Sequence, residues 1–375
     1  MDVAKVKNVS SGGRYLEFYC VVNNDGIPLL EPGLYLLDLA KAGNAISTTE
    51  NYARVLKDFF GVLDSSGGDL KYDQVTDAQM TGYLNGYRVQ KLKNSPETVN
   101  YHATILNEFY KKMANLGISD NLKNISFTWE GLKKVKNKKE VLSTEILQIY
   151  MDKKSFEEDV LANITATSAF KRERDEIALK LGYYAGFRTH ELVSYDNLNV
   201  KELRKLLPKQ KDWTPKSMKL KIMGKGNKMR SAQVSVELAE AIYNFIWNRG
   251  SHLTGSLMAA KSGKDLVDKK FGTKLFERCV KARILKGVEN IDDWLARRYH
   301  TLRKCYATNS VTYCYKKGKD PMVFVSQWMG HTDYEMTKIY VFYYAVVMGR
   351  VDILNTLSLK DSRYERYNKK KKDED

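Results

Sequence analysis

Tyr299-His300-Thr301-Leu302-Arg303, then Trp328-Met329-Gly330-His331, then Tyr340 nine residues past His331, form the stretch on which the reading of this chain depends. His300 and Arg303 are three apart, so they share a face of a helix. Gly330 can close one helix, because glycine accepts the left-handed cap conformation. Thr332 followed by Glu335 is a capping-box pattern that starts the next helix, and that helix carries Tyr340. Two histidines, an arginine and a tyrosine can therefore converge on one point. Such a set can hold a phosphate and attack it.

Upstream of this stretch, Lys219 to Ser235 alternates: Leu220 and Ile222, then Gly224-Lys225-Gly226-Asn227, then Met229, Ala232 and Val234. This pattern predicts a β-hairpin whose tight turn holds Lys225. Earlier still, Asp175 to Ala185 reads as an apolar helix ending at Gly186. Arg188 lies just past that break, and Glu191-Leu192 opens another helical turn. Further helices are expected at 236–248, 269–284 and 300–315, and Asp320-Pro321 starts one that ends at Gly330.

Cutting a phosphodiester without a metal requires a nucleophile, cations on the non-bridging oxygens and an acid for the leaving alkoxide. Arginine suits the second task, since its planar fork bonds two oxygens and stays charged. Arg188 and Arg303 can form that clamp. His300 and His331 add hydrogen bonds and proton handling near neutral pH. Lys225, at the hairpin tip, can protonate the leaving 5′-oxygen, and Tyr340 can attack phosphorus and become covalently attached. A phosphotyrosyl ester keeps the energy of the broken bond, so resealing needs no ATP.

Five boxes carry a family resemblance. Ala185-Gly186-Phe187-Arg188-Thr189-His190-Glu191-Leu192 resembles the first arginine motif of the tyrosine recombinases, the phage integrase family, of mobile-element or phage type. Gly224-Lys225-Gly226-Asn227-Lys228 resembles their hairpin lysine turn, and His300-Thr301-Leu302-Arg303 their HxxR box. Met329-Gly330-His331 and the tyrosine nine positions later resemble their LGH box and nucleophile. One departure is local: Thr189-His190 stands where small or hydrophobic residues are commoner. The resemblance implies a mainly α fold with a small β-sheet in the catalytic domain, built as a two-domain C-shaped clamp on duplex DNA. It also implies a 3′-phosphotyrosyl intermediate on Tyr340, a structural role for Glu191 in holding Arg188, and a homotetramer at strand exchange. Tyr343 and Tyr344 would point about a turn away from Tyr340, so they rank below it.

The charge balance agrees with a polyanionic partner. Sixty-two Lys and Arg against 45 Asp and Glu give a net charge of +17, an excess suited to nucleic acid. Cys20, Cys279, Cys305 and Cys314 have no CxxC spacing, and the five histidines form no HxxxH or HExxH pattern. Buried or free thiols are expected, with neither a metal site nor a cofactor. No apolar run approaches a membrane span and the N-terminus lacks a signal-peptide layout. The expectation is a cytoplasmic, nucleoid-associated protein with no membrane partner.

The N-terminal third reads as follows. Residues 1–30 contain the β-prone run Tyr15 to Val22 and a turn at Asn23-Asn24-Asp25-Gly26, a hairpin or arm without an assigned role. Residues 31–132 read as a helical bundle, similar in size and position to the family's SAM-like core-binding domain. Within it, Ser47 and Glu50 form a capping-box pattern, a helix covers about 76–91, and Ser95-Pro96 begins another. His102 falls on the apolar stripe of that last helix and reads as a core histidine. Thr48, Thr49, Tyr52 and Arg54 begin a helix that, by the resemblance, faces DNA. Residues 133–142 are a basic linker, with Lys133, Lys134, Lys136, Lys138 and Lys139 lying along a phosphate backbone. The catalytic domain is expected over 143–358 and a charged tail over 359–375.

The leading function is site-specific DNA recombination for integration, excision or transposition, with accessory DNA-bending or directionality proteins as further partners. A type IB topoisomerase or a telomere resolvase would use the same pocket. A catalytically silent DNA-binding protein would lack one of the five boxes.

Overall fold

The computed structural model describes residues 1–66, 71–118, 138–210, 214–224, 228–331, 335–354 and 357, with the side chains of 138–142 and of 335 outside the description. The chain divides into two compact units, Met1–Val135 and Lys136–Asp375. The division falls inside the stretch read as a basic linker. Lys133, Lys134 and Lys136 lie outside the described residues. Lys138 and Lys139 already belong to the first helix of the second unit, so the linker reading fails from residue 138 onward.

The first unit opens with an antiparallel hairpin of β1 (Asp2–Ser11) and β2 (Arg14–Val22). Its turn is Gly12-Gly13, both at positive φ, as a two-residue turn matched to strand twist demands. The turn read at Asn23 to Gly26 follows β2 instead, where the Asn23 Oδ1 accepts from the amides of Asp25 and Ile27. Helices α1 (Leu30–Lys41), α2 (Ile46–Ser65), α3 (Asp77–Thr81) and α4 (Pro96–Asn115) complete the unit. Between α3 and α4 the chain runs as a π-helix over Gly82–Lys91. Phe18, Cys20 and Val21 of β2 bury themselves against Leu36, Leu56, Phe59, Leu106 and Phe109, so the hairpin is part of this core.

That docking overturns one assignment. Thr49 is fully buried, its hydroxyl donating to Ile46 O at 2.8 Å and accepting from the Tyr19 amide of the hairpin at 3.3 Å. It cannot face DNA. The Ser47–Glu50 cap does not form either, because α2 begins after Ala45 without a side-chain cap. His102 is the packed core histidine its stripe implied: Nε2 lies 2.6 Å from Arg88 Nη2, and Arg88 Nη1 donates to Asp58. Arginine has no acceptor, so this histidine is neutral with Nε2 accepting. Burial first, then the Arg88 charge, lower its pKa to about 4.

The second unit holds α5 (Lys138–Ile149), a short α6 (Lys153–Ser155), α7 (Ala169–Ala185), α8 (Thr189–Leu192) and α9 (Val200–Leu206). Next comes the expected hairpin, β3 (Met218–Met223) and β4 (Met229–Val234). After it follow α10 (Val236–Trp247), α11 (Phe271–Leu285), α12 (Ile291–Ala296), α13 (Tyr299–Lys316), α14 (Pro321–Met329) and α15 (Glu335–Val347). The Thr332–Glu335 cap read for α15 lies outside the described residues.

Helix α13 runs through the middle of this unit. Leu302 and Cys305 join a core with Ile177, Leu181, Phe187 and Phe276, while Ala307, Val311 and Cys314 join a second core with Val325, Met329 and Val341. Two buried faces explain why α13 shows no amphipathic stripe in its sequence. Its approach to α7 is close: a Cβ on Gly182 would sit 2.9 Å from the Tyr299 hydroxyl, which donates to Ala178 O. All four cysteines are buried free thiols. Among the described residues, no helix is long and apolar enough to cross a membrane.

Candidate active site

Two helix ends build the site. Helix α7 stops at Gly186, which adopts the left-handed cap at φ 63°, and the Phe187 amide returns to Leu181 O. Phe187 is fully buried, which pins the chain and turns the next residue, Arg188, outward. Helix α14 stops at Gly330, left-handed at φ 66°, and the His331 amide returns to Ser326 O. Arg188 and His331 thus each follow a glycine-capped helix end by one or two residues.

Glu191 is the hub. Its Oε2 accepts from the Arg188 amide at 2.9 Å, its Oε1 from Arg188 Nη1 at 2.9 Å, and its Oε2 also from Arg230 Nη2 at 2.8 Å. The carboxylate is fully buried. Burial alone would raise its pKa, but the charge and hydrogen bond of Arg230, the Arg188 amide and Arg303 outweigh that, and the net shift is downward. Arg303, 1% exposed, donates Nη2 to Met329 O at 2.5 Å and Nη1 to Gly186 O. Burial, then Arg230 and Arg188, lower its pKa to about 9, so it stays charged at neutral pH.

Three guanidinium groups therefore surround one carboxylate. Among the described residues, Glu191 is the acid that ion-pairs with Arg188 and Arg230, and Arg303 bonds carbonyls alone. Two positive charges are left over, and the Arg188 side chain keeps 27% of its surface in solvent. An excess of this kind in a partly dry site attracts an anion.

The nucleophile candidate lies beside these cations. The Tyr340 ring stacks on His331, centroids 5.6 Å apart and planes 12° from parallel. His331 Nδ1 bonds Thr337 Oγ1 at 2.9 Å, which fixes the imidazole. Burial raises the Tyr340 pKa against the opposing pull of Arg303 and Arg188, so the phenol is protonated at rest. Burial followed by the arginine charges lowers His331 to about 4. His300 is also lowered to about 4, by desolvation and then by Arg303, Lys304 and Arg188. His300 keeps an exposed surface, so its cationic neighbours are the cause that persists in water. Both imidazoles are neutral at pH 7.

Gly224, the last described residue before the lysine turn, sits where β3 meets this cluster. A Cβ on Gly224 would lie 3.4 Å from Glu191 Oε1 and 3.9 Å from Arg188 Nη1. Asn197 ties the hairpin down, accepting from the Met223 amide and donating to Met223 O and Glu191 O. Lys225 itself lies outside the described residues. The two lower-ranked tyrosines are occupied elsewhere: Tyr343 donates to Glu145 at 3.0 Å, and Tyr344 stacks on Tyr315 at 5.0 Å.

A family model described as the phage integrase family matches residues 154–345, that is 192 of the 375 residues. The chain belongs to the phage integrase family. Two curated relatives agree in name. A tyrosine recombinase XerC of Natranaerobius thermophilus is 27% identical over 167 residues, 44% of this chain and 50% of its own. A tyrosine recombinase of Pseudothermotoga lettingae is 28% identical over 191 residues, 50% of this chain and 56% of its own. This integrase-family chain thus spans about half the length of the curated relatives it matches. Two solved structures share its fold. XerH site-specific recombinase bound to difH superposes at a TM-score of 0.53 with 17% identity, over 80% of this chain and 76% of that one. The Tn1549 transposon integrase with transposon right end DNA superposes at 0.54 with 15% identity, over 83% and 94%.

Within the matched range, the structure brings Arg188, Glu191, Arg303, His331 and Tyr340 together, with His300 one turn from Arg303 on α13. The sequence reading missed Arg230, Asn197 and Thr337. Arg230 carried a signal: Ala232 and Val234 mark the inward face of β4, and two residues back on that face stands an arginine. Met229, named with Ala232 and Val234 in the alternating stretch, is 55% exposed. In the first unit, Thr48 is half-buried, Tyr52 stacks on Tyr35, and Arg54 is exposed and paired with Glu50.

Proposed function

We propose that this chain is a site-specific DNA recombinase that cuts and rejoins duplex DNA through a 3′-phosphotyrosyl intermediate. The observation that carries the reading is the pairing of an uncompensated arginine cluster with the stacked His331–Tyr340 rings. In this reading Arg188 and Arg303 bind the non-bridging oxygens and stabilise the charge that grows on them in the transition state. Tyr340 Oη bonds to phosphorus as the bond to the 5′-oxygen breaks. The phenol proton passes to a neutral imidazole, His300 or His331. The 5′-oxygen takes a proton from Lys225. Religation runs the same steps backward, with no net consumption of a high-energy bond. Side chains supply every role, so the chemistry calls for neither metal nor ATP.

The recombinase names of the two curated relatives favour recombination over relaxation or hairpin formation. Service to a mobile element, a homotetramer on paired sites, accessory bending or directionality proteins, and residence on the nucleoid belong to the same reading. The +17 charge supports the DNA partner. Thr48, Tyr52, Arg54 and the lysines at 133–139 remain its proposed backbone contacts, the last of these from sequence alone.

The test is a nicked duplex that carries the recombination site and traps the covalent species. Wild type is expected to form a protein–DNA adduct stable to denaturant, and Tyr340→Phe to bind equally and form none. An adduct formed at the wild-type rate by Tyr340→Phe would remove Tyr340 from the mechanism.

A further inference from the structure

We infer that Arg230 is a positioning residue for strand cleavage: from β4 it sets Arg188 through Glu191 and, together with Arg303, straps the two glycine-capped helix ends that carry Arg188 and His331. The inference rests on the recombinase reading above.

The bonds of Arg230 define the strap. Nη2 reaches Glu191 Oε2 at 2.8 Å and Gly186 O at 3.1 Å, and Nη1 reaches Trp328 O at 2.8 Å. Arg303 takes Gly186 O as well, and Met329 O, the carbonyl after Trp328. Two guanidiniums therefore cross-link the C-terminus of α7 to the C-terminus of α14. Carbonyls at helix ends lack intrahelical donors and carry partial negative charge, so two cations suit them. Gly330 makes room for this: a Cβ there would sit 3.0 Å from Arg230 Cδ. The guanidinium also lies over the Phe187 ring, 5.6 Å from its centroid.

Arg230 is 6% exposed and its bonds run to protein groups, so it is not placed to touch substrate. Its effect passes through Glu191. With Arg230 gone, Glu191 Oε2 would keep only the Arg188 amide. A buried carboxylate so deprived would draw Arg188 inward, away from the phosphate. Only a planar fork reaches a carboxylate and two carbonyls on different elements at once, and a lysine ammonium is too compact to do so.

The test measures three quantities on full-length Arg230→Lys and Arg230→Met: the single-turnover rate of adduct formation on the nicked duplex, the DNA dissociation constant, and the melting temperature. Arg230→Lys is expected to fold and to bind within about threefold of wild type while cleaving roughly tenfold more slowly. Arg230→Met is expected to cleave on the order of a hundredfold more slowly, the scale of an ångström-sized misplacement of reacting groups. Partial recovery by lysine, at unchanged binding, supports positioning. Cleavage at the wild-type rate in either folded variant overturns the inference, as does a loss that merely tracks the folded fraction or the binding. Absence of any adduct with wild type would instead overturn the recombinase reading, and the inference with it.

Discussion

His102 and His331 are held near pKa 4, His300 is lowered by its cationic neighbours, and the sign of the consequence follows directly. Each is neutral in the folded chain and would protonate near its ordinary value, about 6.5, once unfolded. The unfolded state therefore binds more protons between those limits, and stability falls as pH drops from 6.5 to 4. His102 is the deepest of the three, and its shift corresponds to roughly 3 kcal/mol. His102→Gln keeps an acceptor for Arg88 and removes the titration. Its melting temperature should fall less than that of wild type between about pH 7.5 and about pH 5. An identical fall in both proteins would show that Arg88 does not hold the ring neutral. On the proposed mechanism, in which a neutral imidazole accepts the phenol proton, the same shifts set the cleavage profile: adduct formation should be flat from neutral pH down to about 5 and fall below that. A loss already complete near pH 6 would contradict the histidine assignments.

At the scale of elements, the helix ends were the most legible part of the sequence. Gly186 and Gly330 terminate α7 and α14 at the positions their sequence marks, both in the left-handed conformation that excludes most other residues. The β3–β4 hairpin was legible from its alternation, while the burial of Arg230 was not. What holds it, the ends of α7 and α14, lies 44 and 98 residues away. Thr49 misled for the same reason, since the hairpin that covers it arrives from 30 residues upstream. Gly186 also has a packing role, because a Cβ there would meet Tyr306 Cδ1 at 2.5 Å. Gly318, equally left-handed at the end of α13, faces open space. Gly318→Ala should cost about 1 kcal/mol, from backbone conformation alone. Gly186→Ala should cost on the order of 3 kcal/mol or more, because overpacking adds to it. Thermal melts compare the two, and equal losses would mean that Tyr306 yields without cost.

At the scale of the whole molecule, the order of five short boxes was enough to name the family, and the family model, matching residues 154–345, spans all five. The first unit reads from its sequence as a helical bundle after a hairpin or arm without an assigned role, whereas β2 belongs to the bundle's core. Periodicity within a strand does not say which helices will cover it. The charge excess makes a separate prediction. DNA affinity should fall about a thousandfold or more between 50 and 200 mM salt, as counterion release by several phosphate contacts requires. A flat salt response would mean that the basic residues do not lie along a backbone.

The central claim is that one phenol, beside His331 and the arginine cluster, becomes bonded to DNA. Protease digestion of the trapped adduct followed by mass spectrometry tests it most directly. The account requires the nucleotide mass on Tyr340. Its appearance on Tyr343, Tyr344 or any other residue would contradict the account.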